Sequence, residues 1–155
     1  MLLRSINLNR HRPQIRSGLR HKRVSGAMAK IIKQENATPS FKGYRGYPAA
    51  ICSSINEEIV HGIPGPRMLQ EGDILSIDVG AIYKGYHGDA AITVGIGQIS
   101  EEARRLIEAT AGALAAGIAQ AQPGNRIGDI SHAVQEYAES RGFAVVREYM
   151  GHGIG

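Results

Sequence analysis

The sequence has only one cysteine, Cys52, among its 155 residues. No disulfide is therefore available within the chain, and a reducing compartment such as the cytoplasm is the expected location. Long hydrophobic runs are also missing, because no stretch approaches the roughly 18 apolar residues of a membrane-spanning helix. We therefore predict no membrane partner. The hydrophobic content of 43% and the charged content of 21% are those of a soluble globular domain.

Acidic residues are missing from the first 34 positions, and the first of them is Glu35. Nine of the 18 basic residues lie in this segment, which carries +9, whereas the rest of the chain is acidic and the net charge is +4. We predict that residues 1–34 form a flexible basic arm. Such an arm suits contact with RNA or the ribosome, or an organellar transit segment, which gives an alternative location. An extension without a role is the third alternative.

The spacing of apolar residues predicts an α+β fold with a mainly antiparallel sheet. Ser100 is the expected N-cap of one helix, and Gly142 is the expected end of another. The predicted helices cover residues 27–34, 101–121 and 127–140. The predicted strands cover residues 49–55, a hairpin from 75 to about 94, and residues 143–150.

Two aspartates on the predicted hairpin, Asp78 and Asp89, are the most informative residues. The chain alternates from residue 75, which places Asp78 on the opposite face from its apolar neighbours. If the turn centres between residues 83 and 84, the aspartates are directly opposite, with Cβ atoms about 4.5–5.5 Å apart. If Lys84 and Gly85 form a two-residue turn, Asp78 faces Ala91 and Asp89 is its diagonal neighbour.

Both registers crowd two like charges on one face of the sheet, which requires a compensating cation. A pair of divalent metal ions is the simplest candidate, because carboxylate oxygens are hard ligands that suit such ions. Two turn aspartates without a ligand are the alternative interpretation.

Further candidate site residues lie on either side of this hairpin. His152 stands between two glycines and offers an imidazole ligand, or else meets solvent in a loop. His61 ends an apolar segment and can act on a substrate as an acid or hydrogen-bond donor, or else is structural. The aromatic faces and polarisable sulfur of three residues suit a pocket for a thioether, with ordinary core packing as the alternative. These three are Tyr44, Tyr47 and Cys52.

Five segments together resemble the type I methionine aminopeptidases, in the same order and spacing. The resemblance runs from about residue 36 to the last residue, and it implies a partial pita-bread (creatinase/aminopeptidase-like) fold, an antiparallel sheet covered by helices. The segments are TPSFKGYRGYPAAIC (38–52), NEEIVHGIP (56–64), EGDILSIDV (71–79), GYHGD (85–89) and REYMGHGIG (147–155).

The resemblance implies a metalloexopeptidase that removes the N-terminal methionine from nascent polypeptides. Two divalent ions (Mn, Fe, Co or Zn) would activate a water molecule, and the intact enzyme would be a monomer. Asp78, Asp89 and His152 match metal ligands, with Asp89 bridging both ions. His61 matches a histidine that binds substrate and stabilises the reacting amide. The residues that match the methionine pocket are Tyr44, Tyr47 and Cys52.

The sequence also departs from the family pattern. In the family, two glutamate ligands and a second active-site histidine follow downstream of residue 155, and a helix precedes residue 37 where the basic arm stands. Residues 35–155 are therefore expected to be the N-terminal portion of the catalytic domain, with weak metal binding and little turnover. One alternative is a non-catalytic fragment whose arm binds RNA or the ribosome. Another is a proline-specific pita-bread metallopeptidase.

Overall fold

A computed structural model describes residues 15–154, which fall into two compact units. The first unit reaches Ile99 and includes Ile154, and the second is Ser100–Gly153. Helix α1 (His21–Gln34) and all the strands lie in the first unit, and helices α2 (Glu101–Ala119) and α3 (Ile127–Glu139) lie in the second. The strands are β1 (Thr38–Pro39), β2 (Cys52–Ile55), β3 (Ile74–Tyr83) and β4 (Tyr86–Gly95).

Strand β3 is the centre of an antiparallel sheet. One of its edges pairs with β4 along all ten residues. The other edge pairs with β2 over Leu75–Asp78 and with β1 over Ala81–Ile82. Strand β2 is shorter than the predicted 49–55, because residues 49–51 form bends before the ladder begins. The predicted alternation of β3 is confirmed, since its odd-numbered residues from 75 to 81 are buried in the core.

The β3–β4 turn decides between the two registers that the sequence left open. Tyr83 pairs with Tyr86, so Lys84 and Gly85 are the two turn residues. Both have positive φ angles, 50° and 84°, as in the type I′ turns whose twist matches that of a hairpin. Asp78 therefore faces Ala91, and the diagonal arrangement is the correct one.

Helix α1 belongs to the folded unit, so the predicted flexible arm over residues 1–34 is wrong for His21–Gln34. The helix begins six residues before the predicted 27–34, because Val24, Met28 and Ile32 recur on one face and join the hydrophobic core of the sheet. The free energy gained by burying these apolar side chains outweighs the repulsion among the basic residues of the segment. Residues 1–14 lie outside the described part of the chain.

The loop of residues 61–69 is held between α1 and β2. No side chain caps the start of α1. Instead, the His21 amide donates to the Arg67 carbonyl at 2.9 Å, and the Lys22 amide donates to the Gly65 carbonyl at 3.0 Å. On the other side the Ser53 amide donates to the Gly62 carbonyl at 2.9 Å. The loop is therefore fixed at both of its sides by backbone hydrogen bonds.

The second unit consists of two helices and an irregular segment. Ser100 caps α2 as predicted, with its Oγ accepting from the Ala103 amide at 3.1 Å. Gly142, at a φ of 83°, closes the chain after α3 in the pattern of a Schellman motif, as the Phe143 amide donates to the Ala138 carbonyl at 3.1 Å.

The strand predicted over residues 143–150 is wrong. This segment is irregular, and no ladder pairs it with another strand among residues 15–154. Apolar content alone does not form a strand, because each strand needs a neighbour for its backbone groups. No helix of the described residues is long and apolar enough to cross a membrane.

Candidate active site

One face of the β3–β4 hairpin carries the two aspartates, Asp78 on β3 and Asp89 on β4. Asp78 faces Ala91 across the hairpin, and Asp89 faces Gly80. The two carboxylates are therefore diagonal neighbours on one face, at a spacing of roughly 7–8 Å between backbone positions. Both residues are half-buried, and the Oδ1 atom of Asp78 is inaccessible to solvent. This places two negative charges where solvent screens them only in part.

A glycine and an aromatic ring border this face at one end. A Cβ atom on Gly80 would lie 2.5 Å from the ring of Phe41 and 2.9 Å from Cβ of Ser40. The Ser40 amide donates to the Gly80 carbonyl at 2.9 Å. Phe41 therefore packs directly against the backbone opposite Asp89. Sequence reasoning missed this pair, although a glycine within an apolar strand is a signal of close approach.

Cys52 and Tyr47 lie beside Asp78. Cys52 faces Asp78 directly in the β2–β3 ladder and is buried. Burial raises the pKa of the Cys52 thiol, the hydrogen bond with Tyr47 opposes this, and the charges of Asp78 and Asp89 add to it. The thiol is therefore the favoured form, which suits a pocket wall rather than a nucleophile.

Tyr47 ties three segments together. Its hydroxyl oxygen lies 2.9 Å from the Gly62 carbonyl oxygen and 3.1 Å from the Ile51 carbonyl oxygen, so its one proton is shared between these two acceptors. Burial raises the pKa of Tyr47 above its usual value, and the neighbouring Cys52 side chain and the charge of Asp78 raise it further. The hydroxyl therefore stays protonated and can keep donating.

Tyr44 is far more exposed than Tyr47 and Cys52. It starts the short 3₁₀ turn Tyr44–Gly46 and is 65% exposed. The Arg45 guanidinium lies 5.5 Å from the centre of its ring. The structure therefore joins two of the three predicted pocket residues and leaves Tyr44 on the surface.

His61 stands in a constrained place in the loop of residues 61–69. It is exposed, and its φ of 61° lies in the left-handed region, which is uncommon for residues other than glycine. The next residue, Gly62, is pressed against β2, because a Cβ atom there would lie 2.3 Å from the Ser53 carbonyl oxygen. The Gly62 amide also donates to Ser54 Oγ at 3.2 Å. The backbone beside the imidazole is therefore fixed.

His152 belongs to the second unit, in the irregular segment after α3. It is exposed, and its Nδ1 lies 2.7 Å from the Gly153 carbonyl oxygen. Across residues 15–154, no three side chains of His, Cys, Asp and Glu gather in a group suitable for a metal ion. The aspartate pair is thus a partial ligand set, and the role of His152 as a ligand stays a prediction.

The face of the β3–β4 hairpin that carries Asp78 and Asp89, called here the aspartate face, has the oxygen ligands that a divalent cation requires. Two half-buried carboxylates offer hard oxygen donors from one side of the sheet. Both carboxylates raise the pKa of the Cys52 thiol, as two negative charges near it would. A bound cation would relieve the repulsion between Asp78 and Asp89.

Comparison with known proteins gives the family. The model of the metallopeptidase family M24 matches residues 6–155. The chain belongs to this family. The match includes helix α1, which agrees with the place of that helix in the fold.

Methionine aminopeptidases are among the relatives that this chain resembles. That of Clostridium acetobutylicum is 61% identical over 126 residues, which are 81% of this chain and 50% of the relative. Methionine aminopeptidase 1 of Bacillus subtilis is 50% identical over 141 residues, which are 91% of this chain and 57% of the relative. The chain thus spans about half the length of the curated relatives that it matches.

Solved structures confirm the predicted M24 pita-bread fold. A methionine aminopeptidase from Rickettsia prowazekii superposes with a TM-score of 0.94 at 36% identity, over 97% of this chain and 61% of that one. One from Thermotoga maritima gives a TM-score of 0.93 at 43% identity, with the same coverage of both chains. An Xaa-Pro dipeptidase from Bacillus anthracis shares the fold, with a TM-score of 0.76 at 20% identity.

Proposed function

We propose that this chain carries the first part of a methionine aminopeptidase, which removes the N-terminal methionine from nascent polypeptides. The observation that supports this most directly is the aspartate pair beside the half-buried Tyr47 and the buried Cys52. This face combines oxygen donors for a metal with a surface suited to a thioether. The similarity to methionine aminopeptidases supports the same substrate.

Asp78 and Asp89 would hold two divalent ions, of Mn, Fe, Co or Zn. When bound, such ions polarise the scissile carbonyl and lower the pKa of a water molecule toward about 7. The protein fixes its own part of the site through the β3–β4 ladder, which sets the spacing of the carboxylates. Rigid placement of ligands lowers the cost of ordering them when the ion binds.

The wall of Tyr47 and Cys52 would receive the methionine side chain, with the exposed Tyr44 closer to solvent. His61 would donate a hydrogen bond to the reacting amide and so orient it. The hydrogen bonds at Gly62 support this role, because they hold the backbone next to the imidazole. His152 is a predicted ligand because it matches a family motif in residues 147–155.

The first test measures metal binding and turnover separately on the purified chain. Mn²⁺ binding is followed through the electron paramagnetic resonance signal of free Mn²⁺. Asp89→Asn should weaken binding at least tenfold, because it removes one of two anionic ligands. Glu57→Gln, which removes an exposed carboxylate from a loop, should leave binding within twofold. Equal binding by both variants would show that the aspartate pair is not the metal site.

The second part of the test is release of methionine from the peptide Met-Gly-Met with Mn²⁺ or Co²⁺ added. Release that a chelator abolishes and that Asp89→Asn lowers would support the proposed reaction in this chain. Metal binding without release would support the metal site but not the proposed reaction in this chain. Release from an Ala-Pro peptide in place of Met-Gly-Met would favour a proline-specific M24 peptidase instead.

Partners and location stay predictions. The basic residues of the N-terminal segment suit docking on the ribosome, and a steep salt dependence of ribosome binding would support this. The single cysteine favours a cytoplasmic location, and a monomer is expected for the intact enzyme.

A further inference from the structure

A groove of about 540 Å³ runs along helix α1 in the first unit. One wall is a face of α1, where Lys22, Gly26, Ala29 and Lys33 recur at intervals that place them on one side of the helix. Residues 37–50, which leave α1 and lead toward β2, supply most of the opposite wall. None of the residues proposed for catalysis lines this groove.

The groove is positively charged. Lys22, Lys33 and Lys42 line it, and its lining residues include no acidic side chain. All three lysines are exposed, and the ion pairs found among residues 15–154 involve other residues. Three uncompensated ammonium groups around one concave surface raise the local concentration of anions.

The surface between the lysines is apolar but lacks aromatic rings. It is formed largely by alanine and proline, including Ala29, Pro39, Pro48 and Ala49. Nucleic-acid bases would find no stacking platform there, and the lining has no arginine to bind phosphates in bidentate fashion. An apolar floor with a cationic rim instead suits a peptide that combines apolar side chains with carboxylates. The chemistry of the lining thus favours a protein partner over RNA.

We propose that this groove is a docking site for an acidic, partly apolar peptide segment of a partner protein. The apolar side chains of the segment rest on the alanine and proline floor, and its carboxylates pair with Lys22, Lys33 and Lys42. The site is independent of the aspartate face, so it holds whether or not the chain is an active aminopeptidase.

The test is fluorescence anisotropy of three labelled probes with the full chain. The first is a twelve-residue peptide with Leu and Glu at helical spacing, the second has Gln in place of each Glu, and the third is a twelve-nucleotide single-stranded RNA. The double variant Lys33→Glu, Lys42→Glu reverses two charges of the groove. The matched control is Lys30→Glu, which reverses an exposed lysine of the same helix that does not line the groove.

The expected result is saturable binding of the Glu peptide, at least tenfold tighter than that of the Gln peptide. The double variant should weaken it at least tenfold and Lys30→Glu less than twofold, and 300 mM NaCl should weaken it relative to 50 mM because salt screens the rim charges. Equal effects of the two variants, equal binding of the two peptides, or no saturable binding would overturn the proposal. Tighter RNA binding that the double variant abolishes would identify a nucleic-acid site instead.

Discussion

The close packing of Gly62 against β2 makes Gly62→Ala the most informative substitution in the first unit. The new Cβ would lie 2.3 Å from the Ser53 carbonyl oxygen and 2.9 Å from the carbonyl carbon. Both atoms belong to the backbone of a buried strand, so rotation of a side chain cannot relieve the overlap. The loop must move by about 1 Å to reach ordinary van der Waals separation.

This movement has two costs. Forcing an extra methyl group into a packed site costs about 1–3 kcal/mol. The same movement strains the hydrogen bonds that the Gly62 carbonyl accepts from the Ser53 amide and the Tyr47 hydroxyl, both 2.9 Å long. The loss of one such bond lowers the free energy of unfolding by about 0.5–1.5 kcal/mol. The lower conformational entropy of the unfolded alanine chain raises it by about 0.4–1 kcal/mol. The middle of these ranges gives a loss of about 2 kcal/mol in the free energy of unfolding for Gly62→Ala.

The assay is urea unfolding followed by far-ultraviolet circular dichroism, which gives the free energy of unfolding of each variant. Gly65→Ala is the matched control in the same loop, because its Cβ would meet nothing closer than the Ile63 carbonyl oxygen at 3.8 Å. It should change the free energy by less than about 1 kcal/mol. A loss below about 1 kcal/mol for Gly62→Ala, or equal effects of the two substitutions, would refute the account of how the loop is held.

Two other predictions concern buried or crowded positions of the first unit. Burial lowers the pKa of His21 below 6.5, so the unfolded chain takes up a proton more readily than the folded chain. Stability should therefore be at its full value above pH 6.5 and fall below it by up to about 1.4 kcal/mol per pH unit. His21→Phe should remove this dependence in urea unfolding at several pH values, and His132→Gln, at an exposed position of α3, should preserve it. Gly80→Ala should cost about 1–3 kcal/mol, because its Cβ would lie 2.5 Å from the Phe41 ring. Gly26→Ala, with open space around its Cβ, should instead raise the melting temperature.

The sequence predicts the hairpin well because local rules determine it. The alternation of β3 fixes which face carries Asp78, and the left-handed preference of Gly85 selects the turn. Two registers were still open, since the spacing of the aspartates satisfies both. The observed φ angles at Lys84 and Gly85 settle the choice.

The features that the sequence does not predict depend on contacts between residues far apart in the chain. The start of α1 carries no side-chain cap that would mark it, because its amides bond to a loop more than forty residues away. Residues 143–150 have the composition of a strand but no partner among residues 15–154. The close contact between Gly80 and Phe41 likewise joins residues distant in sequence, so the glycine signals a close approach but no local pattern identifies Phe41 as the partner.

The bonds between the first turn of α1 and the carbonyls of Arg67 and Gly65 have a dynamic consequence. The helix start cannot fray without releasing the loop, and the loop cannot lift without exposing the amides of His21 and Lys22. Opening of either should therefore be a single cooperative event with one free energy. Hydrogen exchange at the His21 amide would then report how often the segment that carries His61 leaves the protein surface.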